Sequence, residues 1–327
     1  MRIIITGAKG FIGSVLAKRA SEIGHDVLAL DDMSRGLNTI EKATFSSVPG
    51  AGSLSFQKHD CQGGLLEAVR EKWWSAPVAN THLDAVVHLA AGTGSLDRPI
   101  EELRALNVEM TKRVYMDAKT LGAKVFAFPT TSLGTVPSLK DAPYVLSKEE
   151  AFEWLKVQTD PRPLPFRFFN VAGSYKGYTE LRRREVHLIP ALAACVRVGG
   201  MLTVNGNNYD THDGTPARDF VNVLDVADAI LNVLANPVML HRPQPDGAMW
   251  FGTGWTVTTR DAVTIVDQWF GPVQYPTGPR RAFDTGFLRC PDNAAHHFAQ
   301  ALGRSPAPAW VSIRDEIRTL LVNPTRP

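Results

Sequence analysis

Residues 2–32 read "RIIITGAKGFIGSVLAKRASEIGHDVLALDD", and this stretch decides the fold. It begins with the apolar run RIIIT, passes through a glycine-rich turn into the helical pattern FIGSVLAKRASEIG, and ends with a second apolar run, VLALDD. A strand, a helix and a strand of these lengths predict a right-handed crossover between two parallel strands. The stretch therefore predicts an α/β fold built on a parallel sheet.

The same alternation of strand and helix patterns continues to about residue 170. Two of the later apolar runs, AVVHLAA and KVFAF, are typical of central strands that are covered on both faces. Repeated crossovers of this kind predict a Rossmann-type, doubly wound parallel sheet.

The second half of the chain has a different composition. Proline, glycine and polar residues become frequent after Val171, and NGNNYDTHDGTPARD at 205–219 is predicted to be a long loop. The helical pattern VLDVADAILNVLAN at 223–236, with Asp225 as its predicted N-cap, is expected to return to the first sheet. We therefore predict two interleaved domains, namely a Rossmann domain over residues 1–170 joined by residues 219–237, and a smaller C-terminal α/β substrate lobe over residues 171–327.

Composition and charge argue against several classes of protein. The 327 residues carry a net charge of +2, with 44% hydrophobic and 21% charged residues, which is too balanced to indicate nucleic-acid binding. No apolar stretch approaches the roughly 20 residues that span a bilayer, and the first strand directly follows Met1, so we expect no signal peptide. Because Cys61, Cys195 and Cys290 lie far apart and the histidines lack metal-ligand spacing, we expect no disulfide framework, no metal site and a cytoplasmic location.

The turn between the first strand and the first helix is suited to binding phosphate groups. TGAKGFIG places Gly7, Gly10 and Gly13 at three-residue intervals. Glycines there allow a sharp turn, a close approach of a pyrophosphate to the backbone, and tight packing of the helix on the strand. The free N–H groups of the helix N-terminus then face the phosphates. The turn therefore predicts a dinucleotide site.

The end of the second strand indicates which dinucleotide binds. Asp31 lies 18 residues after Gly13, where an acidic side chain accepts hydrogen bonds from the adenosine ribose hydroxyls. Its charge would repel a 2′-phosphate, so NAD is favoured over NADP. Arg35 lies close enough in sequence to leave NADP as an alternative.

Two other strand ends contribute candidate cofactor residues. Asp60 and Cys61 follow the third predicted strand, and Asp60 could face the adenine or simply cap the loop. Leu89, Ala90 and Ala91 end the fourth predicted strand, at the carboxyl edge where open parallel sheets bind ligands. Small residues there would let a dinucleotide lie against the backbone.

The segment DAPYVLSKEE at 141–150 predicts a helix start, with Asp141 as N-cap and Pro143 in the first turn. Positions i and i+4 share one face of a helix, so the phenol of Tyr144 and the ammonium of Lys148 would lie side by side. Such a pair is also common on helix surfaces without any function.

Beside a nicotinamide, this pair acquires a chemical role. A phenol has a reference pKa near 10, so a tyrosine base at neutral pH needs its pKa lowered by about three units, or about 4 kcal/mol. The ammonium of Lys148 and the positive nicotinamide ring would stabilise the phenolate of Tyr144. Upstream, FPTTSLG ends a strand with hydroxyl groups, and Thr131 or Ser132 could bridge a substrate hydroxyl to the phenol or serve only as a turn residue.

Together these residues resemble the extended short-chain dehydrogenase/reductase superfamily, and the second half resembles its UDP-glucose 4-epimerase branch. The resemblance covers essentially the whole chain and is most specific at DGTPARDFVNVLDVADA. It implies an NAD-dependent nucleotide-sugar 4-epimerase that acts on a UDP-sugar through a transient 4-keto sugar, as a homodimer formed by helices 100–120 and 144–158. The segments that carry the resemblance are RFFNVAGS, HLIP, NGNNYDTHDGTPARDFVNVLDVADA, FGTG and PRRAFD.

The resemblance also implies roles for individual residues. Phe11 and Ile12 would contact the pyrophosphate through their backbone, and Asn107 would help to order the site. Two arginines suit a diphosphate because a guanidinium binds phosphate oxygens in a fork. The implied substrate residues are Asn170, His187, the diphosphate ligands Arg218 and Arg281, and Asp284 near the uridine ribose. Simpler explanations exist for three of these, namely an Arg218–Asp219 ion pair, a turn closed by Asn170, and a surface position for His187.

Several positions depart from the family pattern. Tyr144 follows Ser132 by only 12 positions, which is shorter than in the family and predicts a more open sugar pocket. The shortened segment leaves the catalytic hydroxyl open between Thr131 and Ser132. Ser132 and Leu133 stand where dehydratases carry an Asp-Glu pair, so elimination of water is disfavoured. Leu288, near a position that limits the C2 substituent, does not decide between a hexose and an N-acetylhexosamine.

Three alternatives to the 4-epimerase remain. GTGS at 92–95 lacks the family's basic position, and Arg182–Arg184 form either a solvated face or a site for a carboxylated sugar, so a UDP-hexuronate or hexosamine epimerase is one alternative. A nucleotide-sugar oxidoreductase that releases its reduced cofactor is the second. A non-catalytic NAD-binding protein is the third, and the intact Tyr144 and Lys148 argue against it.

Overall fold

The computed structural model describes residues 1–38, 40, 43–44, 52–72, 82–93, 98–181, 187–236, 246–281 and 284–323. The basic run Arg182–Arg184 and the end of the GTGS segment lie outside these residues. Among the described helices, none combines the length and the apolar character needed to cross a membrane.

Strands and helices alternate along the described chain. The strands are β1 (Arg2–Thr6), β2 (Asp26–Asp31), β3 (Ala43–Thr44), β4 (Ser53–Lys58), β5 (Ala85–His88), β6 (Val125–Thr131), β7 (Arg162–Phe168), β8 (Asn170–Ala172), β9 (Val204–Asn205), β10 (Ala217–Asn222), β11 (Met249–Phe251), β12 (Thr256–Thr258), β13 (Thr277–Gly278) and β14 (Phe287–Leu288). The helices are α1 (Phe11–Glu22), α2 (Leu66–Lys72), α3 (Ile100–Arg104), α4 (Met110–Thr120), α5 (Pro143–Lys156), α6 (Leu188–Val198), α7 (Val223–Ala235), α8 (Thr259–Phe270), α9 (Asp292–Leu302) and α10 (Ala309–Val322). A π-helical turn (Ala105–Glu109) joins α3 to α4.

The central sheet has the strand order β11-β7-β6-β5-β1-β2-β4-β3. Among the described strands, its neighbours pair in parallel except for the two-residue β3, which pairs antiparallel with β4. The chain moves outward from β1 through β2 to β4, and then returns to start again at β5 on the other side of β1. The predicted Rossmann-type α/β fold is therefore confirmed, with its topological switch point between β1 and β5.

The first strand shows why this sheet is the middle layer. Ile3, Ile4 and Ile5 are all fully buried, although successive side chains of a strand point to opposite faces. Ile3 and Ile5 belong to the apolar cluster that includes α1 and α7, whereas Ile4 belongs to the cluster that includes α4. Helices therefore cover both faces, as a parallel sheet requires.

A smaller sheet carries part of the second half of the chain. In it, β12, β10 and β14 lie side by side, and β8 also pairs with β10. Its core lies against α6, α8 and α10 and includes Leu192, Val263 and Ile313. A separate two-stranded sheet pairs β13 with β9.

Two segments of the second half join the central sheet. α7 packs beside α1, where Arg19 donates to Asp228 at 2.7 Å. β11 extends the sheet beyond β7, and α9 packs against both β11 and α7. The sequence pattern did not predict β11, because three residues are too few to show a strand period.

Two predicted helix caps are wrong. α5 has Ala142 as its N-cap, in an extended conformation, so Asp141 lies one residue too early to accept a helix N–H. α7 is capped by Asn222, whose side chain accepts from Leu224 N at 2.9 Å. Asp225 lies instead in the first turn, where it accepts from Ala307 N at 2.6 Å.

Candidate active site

The glycine turn lies at the switch point, between the end of β1 and the start of α1. Gly7 has a positive φ of +66°, and a Cβ there would lie 2.7 Å from the amide nitrogen of Ala90, beyond β5. A Cβ on Gly13 would lie 2.3 Å from the carbonyl oxygen of Gly7. Gly10 is the N-cap of α1, and no acidic residue lies in its first turn, which begins with Phe11 and Ile12. This tight, uncharged helix start is suited to a phosphate group.

Asp31 lies beside that turn, at the end of β2. Its Oδ2 accepts from Lys9 N at 2.9 Å and its Oδ1 accepts from Met33 N at 2.7 Å. Burial raises the pKa of the Asp31 carboxyl, and these two amide hydrogen bonds oppose that shift. Each carboxylate oxygen retains a further lone pair, so the side chain is able to accept from ribose hydroxyls. Arg35 reaches away to donate to the Thr93 carbonyl and hydroxyl.

The other predicted cofactor residues, which follow β4 and β5, differ in their hydrogen bonds and burial. Asp60 Oδ1 accepts from Gln62 N at 2.9 Å and so caps the short turn that contains the buried Cys61. Burial raises the pKa of the Cys61 thiol to about 12, so it stays protonated. After β5, Ala90 N donates to the Thr6 hydroxyl at 3.2 Å, which holds the backbone of Leu89–Ala91 close to the glycine turn.

Lys148 is the most unusual ionisable group of the site. Its residue is 2% exposed, and its Nζ lies 4.2 Å from the ring centroid of Phe128. Within the described residues, no hydrogen-bond acceptor reaches this Nζ. Burial lowers the pKa of Lys148 to about 7, against a smaller raising effect of the neighbouring Glu149. Tyr144 lies one helical turn earlier on α5 and is half-buried.

The end of β5 brings a histidine near this ammonium. His88 is fully buried, its Nδ1 lies 2.8 Å from the Thr6 hydroxyl, and its Nε2 has no hydrogen-bond partner among the described residues. Burial, and then the charge of Lys148, lower the pKa of His88 to about 3. The imidazole therefore stays neutral and supplies no compensating charge.

The buried ammonium of Lys148 shows whether the residues present fit a dinucleotide. A buried Lys148 without an acceptor is costly unless a ligand supplies one. Ribose hydroxyls of a dinucleotide that starts at the glycine turn and reaches α5 would supply such acceptors. The residues present therefore fit NAD.

Asn107 connects the loop after β5 to the helix that carries Tyr144 and Lys148. It lies in the π-helical turn, where its Oδ1 accepts from Gly92 N at 2.7 Å and its Nδ2 donates to Ser147 Oγ at 2.9 Å. Ser147 Oγ in turn donates to the Tyr144 carbonyl oxygen at 2.9 Å. π-helical turns often occur at functional sites. This one fixes α5 against the loop that follows β5.

The two candidate hydroxyls differ in their surroundings. Thr131 is the last residue of β6, and its Oγ1 accepts from Leu133 N at 3.2 Å, which leaves its proton available for donation. Ser132 begins the short 3₁₀ turn that follows, and no hydrogen bond to its Oγ is seen among the described residues. Both side chains are buried.

The small sheet brings together residues that were predicted to bind the substrate. Asn170 on β8 is paired with Phe220 of β10, and Arg218 on β10 is paired with Leu288 of β14. Arg218 donates to Asp284 Oδ1 at 2.5 Å. Burial lowers the pKa of the Arg218 guanidinium, and the nearby carboxylate of Asp284 opposes this shift only in part.

The alternative in which Arg218 pairs with Asp219 is wrong. Asp219 points to the opposite face of the sheet and accepts from the backbone N–H groups of Thr253, Gly254 and Cys290. These bonds tie β10 to the loops on either side of it. The Arg218 side chain is therefore left to face Asp284.

Two further residues near Arg218, namely Tyr209 and Arg280, were not predicted from the sequence. Tyr209 donates from its hydroxyl to Asp284 Oδ2 at 3.2 Å, and the Arg280 guanidinium lies 3.9 Å from the Tyr209 ring centroid. Arg281 is exposed, and its Nε and Nη2 lie 3.0 Å from the side-chain oxygen of Asn205 in the amide orientation that satisfies both groups. The only sequence signal for Tyr209 was an aromatic residue inside a long polar loop.

His187 is the N-cap residue of α6. Its Nδ1 is 2.6 Å from the buried Glu180 carboxylate, and its side chain is half exposed. This position agrees with both a surface histidine and a residue beside a bound nucleotide.

A group of potential metal ligands lies elsewhere in the small lobe. His212, Asp213 and Asp261 have ligand atoms within 4.8 Å of one another. The two carboxylates already have structural partners, since Asp213 accepts from Thr258 Oγ1 at 2.6 Å and Asp261 forms the capping box of α8. The cluster is therefore explained by turns and caps.

Comparison with known proteins identifies similar chains. The sequence profile of the NAD dependent epimerase/dehydratase family matches residues 3–244. A UDP-glucose 4-epimerase from Corynebacterium glutamicum is 28% identical over 98% of this chain and 94% of its own. The crystal structure of UDP-glucose 4-epimerase from Brucella ovis in complex with NAD is 26% identical, covers 98% of both chains and superposes with a TM-score of 0.76. The fold also resembles the Bifidobacterium longum UDP-glucose 4-epimerase in complex with NAD+ and UDP, at 20% identity, 99% coverage of both chains and a TM-score of 0.77.

We expect Lys148→Met to stabilise the ligand-free protein at pH 6, because it removes a buried ammonium. The pKa of Lys148 is about 7 in the folded protein, below its ordinary value of 10.5. Above pH 7 the folded protein releases this proton while the unfolded chain keeps it, so the unfavourable contribution shrinks as the pH rises. Urea unfolding should show a gain on the order of a few kcal/mol at pH 6 that is smaller at pH 9.

Lys140→Met is the matched control, because Lys140 is exposed. It should show no pH-dependent gain. If Lys148→Met were less stable than the wild type at pH 6, the ammonium would have a favourable partner that this account does not include.

We expect Gly13→Ala to weaken NAD binding at least tenfold, because its methyl group would collide with the Gly7 carbonyl and push the turn out of shape. Gly63→Ala is the control, since a Cβ there would meet no atom within 4 Å. Calorimetric titration of NAD into both variants checks the difference. Equal affinities would show that the glycine turn does not contact the dinucleotide.

Proposed function

Since the chain belongs to the NAD dependent epimerase/dehydratase family, we propose that it is an NAD-dependent nucleotide-sugar 4-epimerase of the UDP-glucose/UDP-galactose type. The observation that carries this proposal is the buried Lys148 ammonium, which shares a face of α5 with Tyr144 and has no acceptor among the described residues. The similarity to UDP-glucose 4-epimerases over nearly the whole chain supports the same activity.

Tyr144 is the proposed acid and base. Its phenolate takes the proton of the sugar 4-hydroxyl, and Lys148 stabilises the phenolate through its positive charge. NAD held at the glycine turn would supply the hydride acceptor for C4 and, later in the turnover, the hydride donor. Tyr144 then returns the proton to the oxygen on C4 as the ketone is reduced, so the enzyme ends each turnover as it began.

A hydroxyl at the end of β6 orients the reacting group. Thr131 Oγ1 accepts from Leu133 N, so its own proton is free to be donated to a substrate oxygen. We assign this role to Thr131, because Ser132 has turned into the following 3₁₀ segment. Asn107 holds Tyr144 and Lys148 in position through Ser147.

Inversion at C4 requires that the 4-keto sugar turn over without leaving. Arg218 and Arg281 are the proposed ligands of the diphosphate, and Asp284 is the proposed ligand of the uridine ribose. Because these groups lie on the small lobe, they would hold the nucleotide while the sugar presents its other face. Asn170 on the neighbouring strand β8 would contact the substrate between the two lobes.

NAD rather than NADP is the proposed dinucleotide. The Asp31 carboxylate at the end of β2 would repel a 2′-phosphate, and the nearby Arg35 is engaged with Thr93. Leu89–Ala91, Asp60 and Cys61 form the remaining walls proposed for this site.

A homodimer and a cytoplasmic location complete the proposal. Met116 on α4 and Leu146 on α5 are 53% and 41% exposed, which is consistent with a partner covering these helices. The three cysteines are free thiols, as in a reducing compartment.

The central experiment is incubation of the purified protein, without added NAD, with UDP-hexoses, UDP-N-acetylhexosamines and UDP-hexuronates. We expect UDP-glucose and UDP-galactose to interconvert with no net accumulation of NADH. Net NADH formation that depends on added NAD would identify an oxidoreductase instead. Interconversion of only the hexosamines or only the hexuronates would identify that group of UDP-sugars as the substrate in place of the hexoses.

Tyr144→Phe tests the assigned acid and base. It should lower kcat by about 10²- to 10⁴-fold, because proton transfer contributes about that much, while UDP binding stays unchanged. Chromatographic analysis of the sugar products measures the rate, and calorimetry measures UDP binding. A fully active Tyr144→Phe variant would remove the basis of the proposal.

Thr131→Val and Ser132→Ala separate the two hydroxyls. Valine keeps the shape of threonine at the strand end, so Thr131→Val should lower kcat about tenfold or more through loss of the hydroxyl alone. Ser132→Ala should leave kcat within about twofold of the wild type. The opposite ranking would transfer the role to Ser132.

A further inference from the structure

An ion cluster centred on a buried arginine lies beside the proposed catalytic helix. Its two carboxylates, those of Glu149 and Asp246, are each 27% exposed. Arg167 on β7 is 3% exposed. Its Nη1 and Nη2 donate to Glu149 Oε1 and Oε2 at 2.7 and 2.9 Å, and its Nε donates to Asp246 at 2.5 Å. Glu149 is the residue that follows Lys148 on α5.

The same cluster holds the end of β6. Arg167 Nη1 also donates to the Thr131 carbonyl oxygen at 2.6 Å, and Thr130 Oγ1 donates to Glu149 Oε1 at 2.8 Å. The turn after β6 lies just as close, because a Cβ on Gly134 would be 2.4 Å from Glu149 Oε1. Glu149 therefore joins the helix of Tyr144 and Lys148 to the strand end of Thr131.

Stability alone does not explain such a cluster. Buried ion pairs are often no more stabilising than apolar residues of similar volume, because desolvation offsets their attraction. The two parallel hydrogen bonds from Arg167 fix both the position and the orientation of the Glu149 carboxylate. The groups fixed here are the ones on which the proposed reaction depends.

We propose that Glu149, held by Arg167, is a positioning residue that fixes α5 against the end of β6 and so sets the distance between Thr131 and the Tyr144–Lys148 pair. This role rests on the proposed epimerase function. Asp246 completes the coordination of Arg167 but contacts neither α5 nor β6 among the described contacts.

The charge of Glu149 reaches Lys148 as well. The described groups that interact with Lys148 are Glu149 from α5, neutral His88 from β5, and the Phe128 ring from β6. Tyr144 lies one helical turn before Lys148 on α5. Glu149 is the carboxylate among them, and it raises the pKa of Lys148 against the effect of burial. Loss of this carboxylate should therefore make Lys148 lose its proton at lower pH.

The test compares Glu149→Gln with two matched controls. Asp246→Asn removes the other carboxylate of the same guanidinium, and Glu150→Gln makes the same chemical change one residue further along α5, where Glu150 pairs with exposed Arg104. We expect Glu149→Gln to lower kcat by about 10- to 100-fold with KM within about twofold, since small misplacements of reacting groups cost that much. Both controls should keep kcat within about threefold, although Asp246→Asn should lose a similar amount of stability in urea unfolding.

A second readout needs no activity. In protein labelled with ¹³C-lysine, the Lys148 side-chain signal, assigned by its absence in Lys148→Met, should titrate at lower pH in Glu149→Gln than in the wild type and Asp246→Asn. The proposal is overturned if kcat follows the loss of stability equally in Glu149→Gln and Asp246→Asn, or if neither kcat nor the titration changes in Glu149→Gln. A wild type that converts no UDP-sugar would refute the proposed function, and the titration would then decide on Glu149 by itself.

Discussion

The site depends on keeping an ammonium group inside the protein. Lys148 is shielded from water, and burial brings its pKa to about 7. Within the described part of the chain, the face of Phe128 and the nearby carboxylate of Glu149 compensate its charge. Such a group is unfavourable in the empty protein, and it becomes favourable only when a ligand supplies oxygen acceptors. The fold must therefore hold α5 firmly enough that Lys148 does not escape to solvent. It does so at two points, through Asn107 and Ser147 on one side and through Arg167 and Glu149 on the other.

The sheet topology brings this helix to the dinucleotide. Because the chain restarts at β5 on the other side of β1, the loops after β1 and β5 meet, and the Gly7 turn lies against the backbone of Ala90. β6 is the next strand outward, and its end carries Thr131 and the start of the segment that leads to α5. Three neighbouring strand ends thus place the glycine turn, the small residues after β5 and the proposed catalytic hydroxyl of Thr131 along one edge. A dinucleotide lying along this edge would extend from α1 to α5.

The sequence predicts what depends on local spacing and misses what depends on the fold. The positions of the glycine turn, Asp31, Tyr144 and Lys148 follow from strand ends and helix periodicity, so the central sheet and the place of these residues in it could be predicted. The partners of Arg167 could not, because Glu149 and Asp246 lie 18 and 79 residues away along the chain. The same holds for Arg218, which pairs with Asp284 rather than with its neighbour Asp219, since adjacent residues of a strand point to opposite faces. The errors at Asp141 and Asp225 are local and small. At α7 the polar Asn222 takes the N-cap in place of Asp225, whereas at α5 the helix starts one residue later than predicted and leaves Ala142 at the N-cap.

The surroundings of Lys148 are held more rigidly than the arginines of the small lobe. This difference suits a reaction in which a sugar must turn. Around Lys148, the proposed reacting groups are held by hydrogen bonds from Asn107, Thr130 and Arg167. On the small lobe, Arg218 is held by Asp284, whereas Arg281 is exposed and reaches a surface asparagine. A diphosphate anchored there would be bound far from C4, so its binding energy would not change as the sugar rotates. In the proposed reaction, a fixed Tyr144–Lys148 pair and a remote diphosphate anchor would together allow the same two residues to act on both faces of C4.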